Sequence, residues 1–242
     1  MQTICDLCVG VQAYDVHTGQ QRSTIESRAY HANYKKDKTF RRELNGSDVR
    51  RYSHQWSEGN WISYGEWLAH PRQPEFFNGS RVLVREITSA GRYAINADYL
   101  TDDYINYKTI LNLLLRPERR ENGYHDFYIL GLLNSALLSW YFPRASNKLV
   151  TTTFPRISIL DMKRFPIPSI DFSKSNDKTR HGRMVQLVQQ MLDAKKQLVA
   201  ARSDREKTFF ENKCASLDRQ IDQLVYELYG LTDEEIALVE GG

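Results

Sequence analysis

The 242 residues, 41% of them hydrophobic and including four Trp, fourteen Tyr and ten Phe, can bury one sizeable core, which excludes intrinsic disorder. The net charge of +3 is small but polarised: residues 28–51 carry eight Lys and Arg against three Asp and Glu, and residues 204–242 carry four against ten, a pattern suited to meeting a polyanion with one region only. Three cysteines exclude a disulfide framework and point to a reducing, cytoplasmic setting, and no apolar run is long enough to span a membrane.

The chain opens in a strand-like run at residues 4–11 with no basic stretch ahead of an apolar core, so no secretory signal is read and polypeptide is expected upstream. The region up to residue 175 is dense in Gly, Asn, Pro and aromatics. Within it residues 61–64 and 81–87 read as strands, residues 93–96 as a weaker one, and residues 149–153 as a β-branched run closed by Phe154-Pro155. Residues 127–142 form the longest apolar segment; Gly131, Asn134 and Ser135 interrupt it, and residues 125–142 read as one buried helix ended by Pro143. Pro166 and Pro168 impose an extended segment next.

From about Thr179 the period changes. Met184, Leu187, Met191, Ala194, Leu198 and Ala201 recur at spacings of three and four, and after Ser203-Asp204 the residues Phe210, Cys214, Leu217, Ile221, Leu224 and Leu228 repeat the rhythm. Two amphipathic helices joined by a short polar turn fold back as an antiparallel coiled-coil hairpin. Gly230 supplies its stop, and Thr232 with Glu235 has capping-box spacing for one last short helix. The expected division is a globule over 1–175, the hairpin over 176–230 and a short C-terminal helix or tail over 231–242.

Chemistry-bearing motifs are sparse. Cys5 and Cys8 make one CxxC, which a zinc site with His17 or His31 would have to complete without a second cysteine pair, and Cys214 falls on an apolar helix face. The six His lack metal-ligand spacing, and no Gly-rich loop suits a phosphate or nucleoside cofactor. Asp161-Met162-Lys163 has the letters of a nuclease carboxylate–lysine pair but no second carboxylate to share a divalent metal. No catalytic residue, metal or cofactor is therefore expected in this chain.

Five segments then occur in a telling order: Leu44-Asn45-Gly46-Ser47-Asp48-Val49-Arg50-Arg51-Tyr52; Trp61-Ile62-Ser63-Tyr64-Gly65-Glu66-Trp67-Leu68 with the strand from Arg81; Tyr128-Ile129-Leu130-Gly131-Leu132-Leu133-Asn134-Ser135; Phe154-Pro155-Arg156-Ile157-Ser158-Ile159 with Phe165-Pro166-Ile167-Pro168; and the hairpin's end from Leu217 to Thr232. Together they resemble the C-terminal specificity, or target-recognition, domain of Taq-type adenine-specific DNA methyltransferases and type IIG restriction-modification enzymes, related to half of a type I specificity subunit. The resemblance implies an α+β chain: a mixed α/β globule with an irregular, mainly antiparallel sheet, followed by the antiparallel coiled-coil helical hairpin. It also implies a bacterial cytoplasmic protein that grips double-stranded DNA and chooses its sequence. The methyltransferase domain or subunit, with S-adenosylmethionine and the base-flipping pocket, would then lie in other polypeptide. The Asn-Pro-Pro-aromatic motif of that pocket is absent from this sequence.

On that reading Arg28, Lys35, Lys36, Lys38, Arg41, Arg42, Arg50, Arg51 and Lys148 are candidate phosphate contacts, with Tyr30, Tyr34, Phe40 and Tyr52 anchoring the loop that carries most of them. Candidate base readers are Arg72, Arg81, Arg85, Arg92, Asn96, Arg144, Asn147 and Arg156, since Arg reads guanine and Asn reads adenine. Trp56, Trp61 and Trp67 are assigned to core packing. The hairpin, acidic in its second helix, is expected to dock on the methyltransferase part or on a second copy of the chain rather than on DNA. Two other readings compete: a free-standing specificity subunit acting in trans, and a coiled-coil assembly module whose basic loop is incidental.

Overall fold

The computed structural model describes residues 1–146 and 155–241. Its first part runs β1 (Cys5–Val9), α1 (Arg22–Glu26), β2 (His31–Ala32), β3 (Phe40–Leu44), β4 (Val49–Arg50), β5 (Ser53–His54), β6 (Trp61–Ser63), β7 (Arg81–Arg85), β8 (Ala97–Leu100), β9 (Tyr104–Asn106) and β10 (Ile110–Leu115). Helices follow: α2 (Pro117–Glu121), α3 (Asp126–Leu133), α4 (Ala136–Ala145), α5 (Ile159–Arg164), α6 (Ser175–Ala200), α7 (Asp204–Tyr229) and α8 (Asp233–Gly241). The β-branched run at 149–153, with Asn147 and Lys148, lies outside the described residues.

The main sheet has the order β1-β10-β7-β8 and is antiparallel throughout. Strand β10 is apolar on both faces because both are covered. Leu111 and Leu113 stand opposite Val84 and Val82 and face the helices, whereas Ile110 joins Leu44, Val49, Leu83 and Leu100 in a second cluster on the other side. The second sheet, β2-β6-β3-β9, is antiparallel except where β3 and β9 run parallel, and β4 pairs with β5 as a small ribbon. The mixed, mainly antiparallel architecture expected from the sequence is the one observed.

The segment at 125–142 is two helices rather than one. Asn134 and Ser135 break it because both side chains serve the backbone. Ser135 accepts from Leu138 N as the N-cap of α4, and Asn134 accepts from Ala97 N and donates to Ala97 O in β8. Pro143 does not end the helix; it sits in the last turn of α4, which continues to Ala145. The weak strand expected at 93–96 is also displaced, to 97–100. Asn96 folds its side chain onto Ser89 Oγ and Ala94 O, which closes a loop where ladder pairing was expected.

Helix α3 is buried along its whole length, and Gly131 is what lets α6 lie against it. A Cβ at Gly131 would stand 2.4 Å from the Met184 sulfur and 2.9 Å from Val188 Cγ2. Helices α6 and α7 pack side by side as the expected hairpin. Ser203 and Glu206 form a reciprocal capping box at the start of α7, and Gly230 closes it with a left-handed backbone at φ 65°. Thr232 and Glu235 exchange hydrogen bonds at the start of α8. One apolar cluster runs from the helix-facing side of the main sheet through α3 and α4 into α6, α7 and α8. Among the described residues no helix is long and apolar enough to cross a membrane.

Candidate nucleic-acid interface

The basic segment read as a loop is strand at Phe40–Leu44 and Val49–Arg50, and strand alternation sorts the two cations of β3. Arg41 and Glu43 share one face of β3 with Ile62 and Ile105, above the cluster formed by Val11, Leu68 and Phe77. There Arg41 donates to Phe77 O at 3.2 Å, pairs with Asp103 and covers the Tyr64 ring. Glu43 Oε2 contacts His31 Nε2 at 3.1 Å, and His31 Nδ1 shares a hydrogen bond with the Tyr14 hydroxyl at 2.8 Å. This face is structural.

The other face of β3 carries Phe40 and Arg42 beside Trp61 and Tyr104. The Arg42 guanidinium stacks 4.1 Å from the centre of the Tyr104 ring and 5.9 Å from that of Trp56, which meets Trp61 edge-on at 5.5 Å. Lys36 stands 5.6 Å from the Phe40 ring. A guanidinium held by a ring face keeps its in-plane N–H donors free for an oxyanion, and among the described residues Arg42 makes no ion pair. Tyr104 in turn meets His54 edge-on at 5.7 Å, and His54 Nδ1 lies 2.6 Å from Asp98 Oδ2. Arg50, exposed on β4, is paired directly across from Ser53 on the His54 strand. Lys36, Phe40, Arg42, Tyr104 and His54 thus form a cationic–aromatic strip, with exposed Lys35 and Lys38 on the loop before β3; Arg28, also exposed, lies toward Tyr14.

Several expected DNA contacts are committed elsewhere. Arg51 is turned from the surface: it pairs with Asp218 of α7 at 2.6 Å, donates to Asn134 O at 2.9 Å and stacks 3.8 Å from the Tyr93 ring centre. Arg81 is fully buried, donates to Gly79 O and Tyr104 O, and has its pKa pulled down to about 10 by desolvation. Arg92 pairs with Glu240 at 2.7 Å and Asp222 at 3.1 Å, its pKa raised chiefly by the Glu240 bond. Asn96 is buried in its own loop. Arg41, Arg51, Arg81 and Asn96 are therefore scaffold residues, because a donor spent inside the protein cannot also reach a phosphate or a base edge, whereas Arg92 is paired at the surface with its side chain 35% exposed. Arg144 lies on the Trp140 ring at 4.3 Å and donates to Trp140 O at 2.9 Å, exposed on the surface. Arg72 is half-buried with Nε toward Gly10 O at 3.4 Å, Arg85 ends β7 half-buried, and Arg156 is exposed beside Glu86. Of the tryptophans, Trp56 and Trp61 are half-buried in the strip, and Trp67, expected in the core, is 44% exposed over Gly65.

Sequence reasoning missed Tyr104 and His54. Their signal was faint: single residues in short strands whose meaning depends on β3 lying beside β9. No group of three His, Cys, Asp or Glu among the described residues is placed to hold a metal ion. Cys5 and Cys8 are three apart in β1, so strand alternation sends their side chains to opposite faces. Asp161 serves as the capping-box partner of Ser158 at the start of α5.

Comparison with curated proteins gives no match. Among solved structures, the type IIL restriction-modification enzyme MmeI in complex with DNA is similar in fold, with a TM-score of 0.61 at 12% identity over 98% of this chain. This chain spans 35% of the length of that one. A family model described as the TaqI-like C-terminal specificity domain matches residues 41–167, which take in most of the strip and the first two helices of the core. That match covers more than half of the sequence, and the chain belongs to the TaqI-like C-terminal specificity domain family.

Proposed function

We propose that this chain selects and holds a double-stranded DNA target for an adenine-specific methyltransferase or restriction-modification enzyme whose group-transfer machinery, with S-adenosylmethionine, resides in other polypeptide. The observation that carries the reading is the cationic–aromatic strip, a surface of ring-held cations left without carboxylate partners. Membership of a specificity-domain family supports it, as does the likeness in fold to an enzyme seen with DNA. In this reading Lys35, Lys36, Lys38, Arg42 and Arg50 meet phosphates, Arg28 and Lys148 extend the grip, and sequence is read by residues drawn from Arg72, Arg85, Arg144, Asn147 and Arg156. The chain itself performs no catalysis.

Five phosphate contacts give a steep salt dependence, with affinity falling about 500-fold between 50 and 200 mM monovalent salt. The test is selection of bound duplexes from a random pool at fixed salt, followed by titration of the enriched duplex against salt. An enriched motif with a steep slope supports the proposal. A flat salt response, or enrichment of no motif at any salt, overturns it.

A further inference from the structure

The strip leads off the sheet, and its continuation lies on the hairpin. Between β5, β8 and α6 opens a cleft of about 460 Å³, lined on one side by Ser53, His54 and Thr101 and on the other by Gln189, Lys195 and Lys196. Positions 189, 192, 195, 196 and 199 fall on one face of α6, while Met184, Leu187, Val188, Met191 and Ala194 are buried in the core. A helix face turned toward a globule ordinarily buries apolar side chains. This one buries Leu192 but sets half-buried Lys195 and exposed Lys196 beside it along the cleft, and among the described residues neither makes an ion pair.

Two carboxylates near the cleft are engaged: Asp98 is 2% exposed and held by His54 at 2.6 Å, and Asp218 on α7 is bound by Arg51. Asp102, exposed on the rim, makes no ion pair among the described residues, so the cleft carries two lysine charges against one open carboxylate. The lysines are also in line with the strip, since His54 touches Tyr104 beneath Arg42 and also lines the cleft, and Arg50 stands across from Ser53 at its mouth.

We propose that the hairpin is a second wall of the DNA-binding surface: the sugar–phosphate backbone that Lys36 and Arg42 hold on the sheet passes the His54 cleft and is gripped on its far side by Lys195 and Lys196 of α6. This rests on the DNA-recognition reading, and it reverses the expectation that the hairpin faces only protein. The acidic residues that prompted that expectation belong mainly to α7 and α8, not to the face of α6 that looks into the cleft.

The test compares the full chain with its K195Q/K196Q variant on one enriched duplex and on a scrambled duplex, over a range of salt, with thermal melting as a fold control. Loss of two phosphate contacts lowers the salt slope by about 1.8 and weakens both duplexes by tenfold or more, up to about 60-fold at 0.1 M salt. The ratio between the duplexes and the melting temperature stay unchanged. Affinity and slope equal to the parent's, with the parent binding DNA, sink the inference and leave the proposed function standing. A loss confined to the enriched duplex also sinks it, because phosphate contacts carry no sequence information. A parent that binds no duplex overturns both.

Discussion

Replacing Arg51 by Ala removes the link between the recognition sheet and the hairpin. The guanidinium makes a two-pronged pair with Asp218, at 2.6 and 3.3 Å, a bond to Asn134 O at 2.9 Å and a stack on Tyr93. The two side chains of the ion pair are 14% and 13% exposed, so most of the water that would screen them is gone. Removing one partner of a buried pair costs about 3–5 kcal/mol, because the other is left charged and dry. Residual exposure and freedom of Asp218 to turn outward place the expected loss near the lower end, about 3 kcal/mol. For a chain of this size that lowers the melting temperature by about 6–12 °C. Asp218→Ala costs less, about 2 kcal/mol, since Arg51 retains the Asn134 carbonyl and the Tyr93 ring. The double variant then gives a coupling energy of about 1–2 kcal/mol by urea denaturation. A coupling near zero, or an Arg51→Ala loss below about 1 kcal/mol, would refute the assignment of Arg51 to the scaffold and return it to the surface.

Neighbouring arginines on β3 are expected to separate cleanly: Arg42→Gln lowers the salt slope of DNA binding by about 0.9 without moving the melting temperature, and Arg41→Gln does the reverse. Equal effects of the two on binding would contradict the sorting by strand face. Gly131→Ala drives a methyl into Met184 and Val188 and costs about 1–3 kcal/mol in urea unfolding; adding Met184→Ala should recover part of that loss, and no recovery would place the strain elsewhere. His181 is buried among Tyr124, Tyr128 and Phe172, accepts a hydrogen bond from His125 N, and has its pKa lowered to about 4, first by desolvation and then by His125. Because the unfolded chain protonates near pH 6.5 and the folded one resists, this contribution is full above pH 6.5 and is lost as pH falls toward 4, by at most about 3 kcal/mol. Urea midpoints that do not fall between pH 7 and pH 5, or that fall equally in His181→Gln, would contradict it.

The hairpin and its caps were legible in the sequence because every relevant interaction is local: a three-and-four spacing, Ser203 with Glu206, Gly230. Strands β1, β6 and β7 were legible for the same reason. Strand β10 was not, since Ile110 to Leu115 is buried on both faces and has lost the alternation that marks a half-exposed strand. The two-helix break at Asn134 was hidden because the group that stabilises it, Ala97, lies 37 residues away. The candidate surface was half visible. Charge density marked residues 28–51, but which cations face outward depended on partners remote in sequence, such as Asp218 for Arg51 and Phe77 and Asp103 for Arg41. Conversely Tyr104 and His54 acquire meaning only once β9 is laid beside β3 and the β4–β5 ribbon is folded against β8.

The carboxamide of Asn134 has a consequence for solubility. Strand β8 is an outer strand of the main sheet, and an uncovered outer strand is a template on which another chain can lay a strand of its own. At Ala97 that invitation is withdrawn: the outward amide and carbonyl are both taken by Asn134, and the carbonyl also accepts from Tyr52 N. On the opposite border α5 packs against β1. The break that divides one apolar helix into two thus also closes this outer strand to further pairing at Ala97.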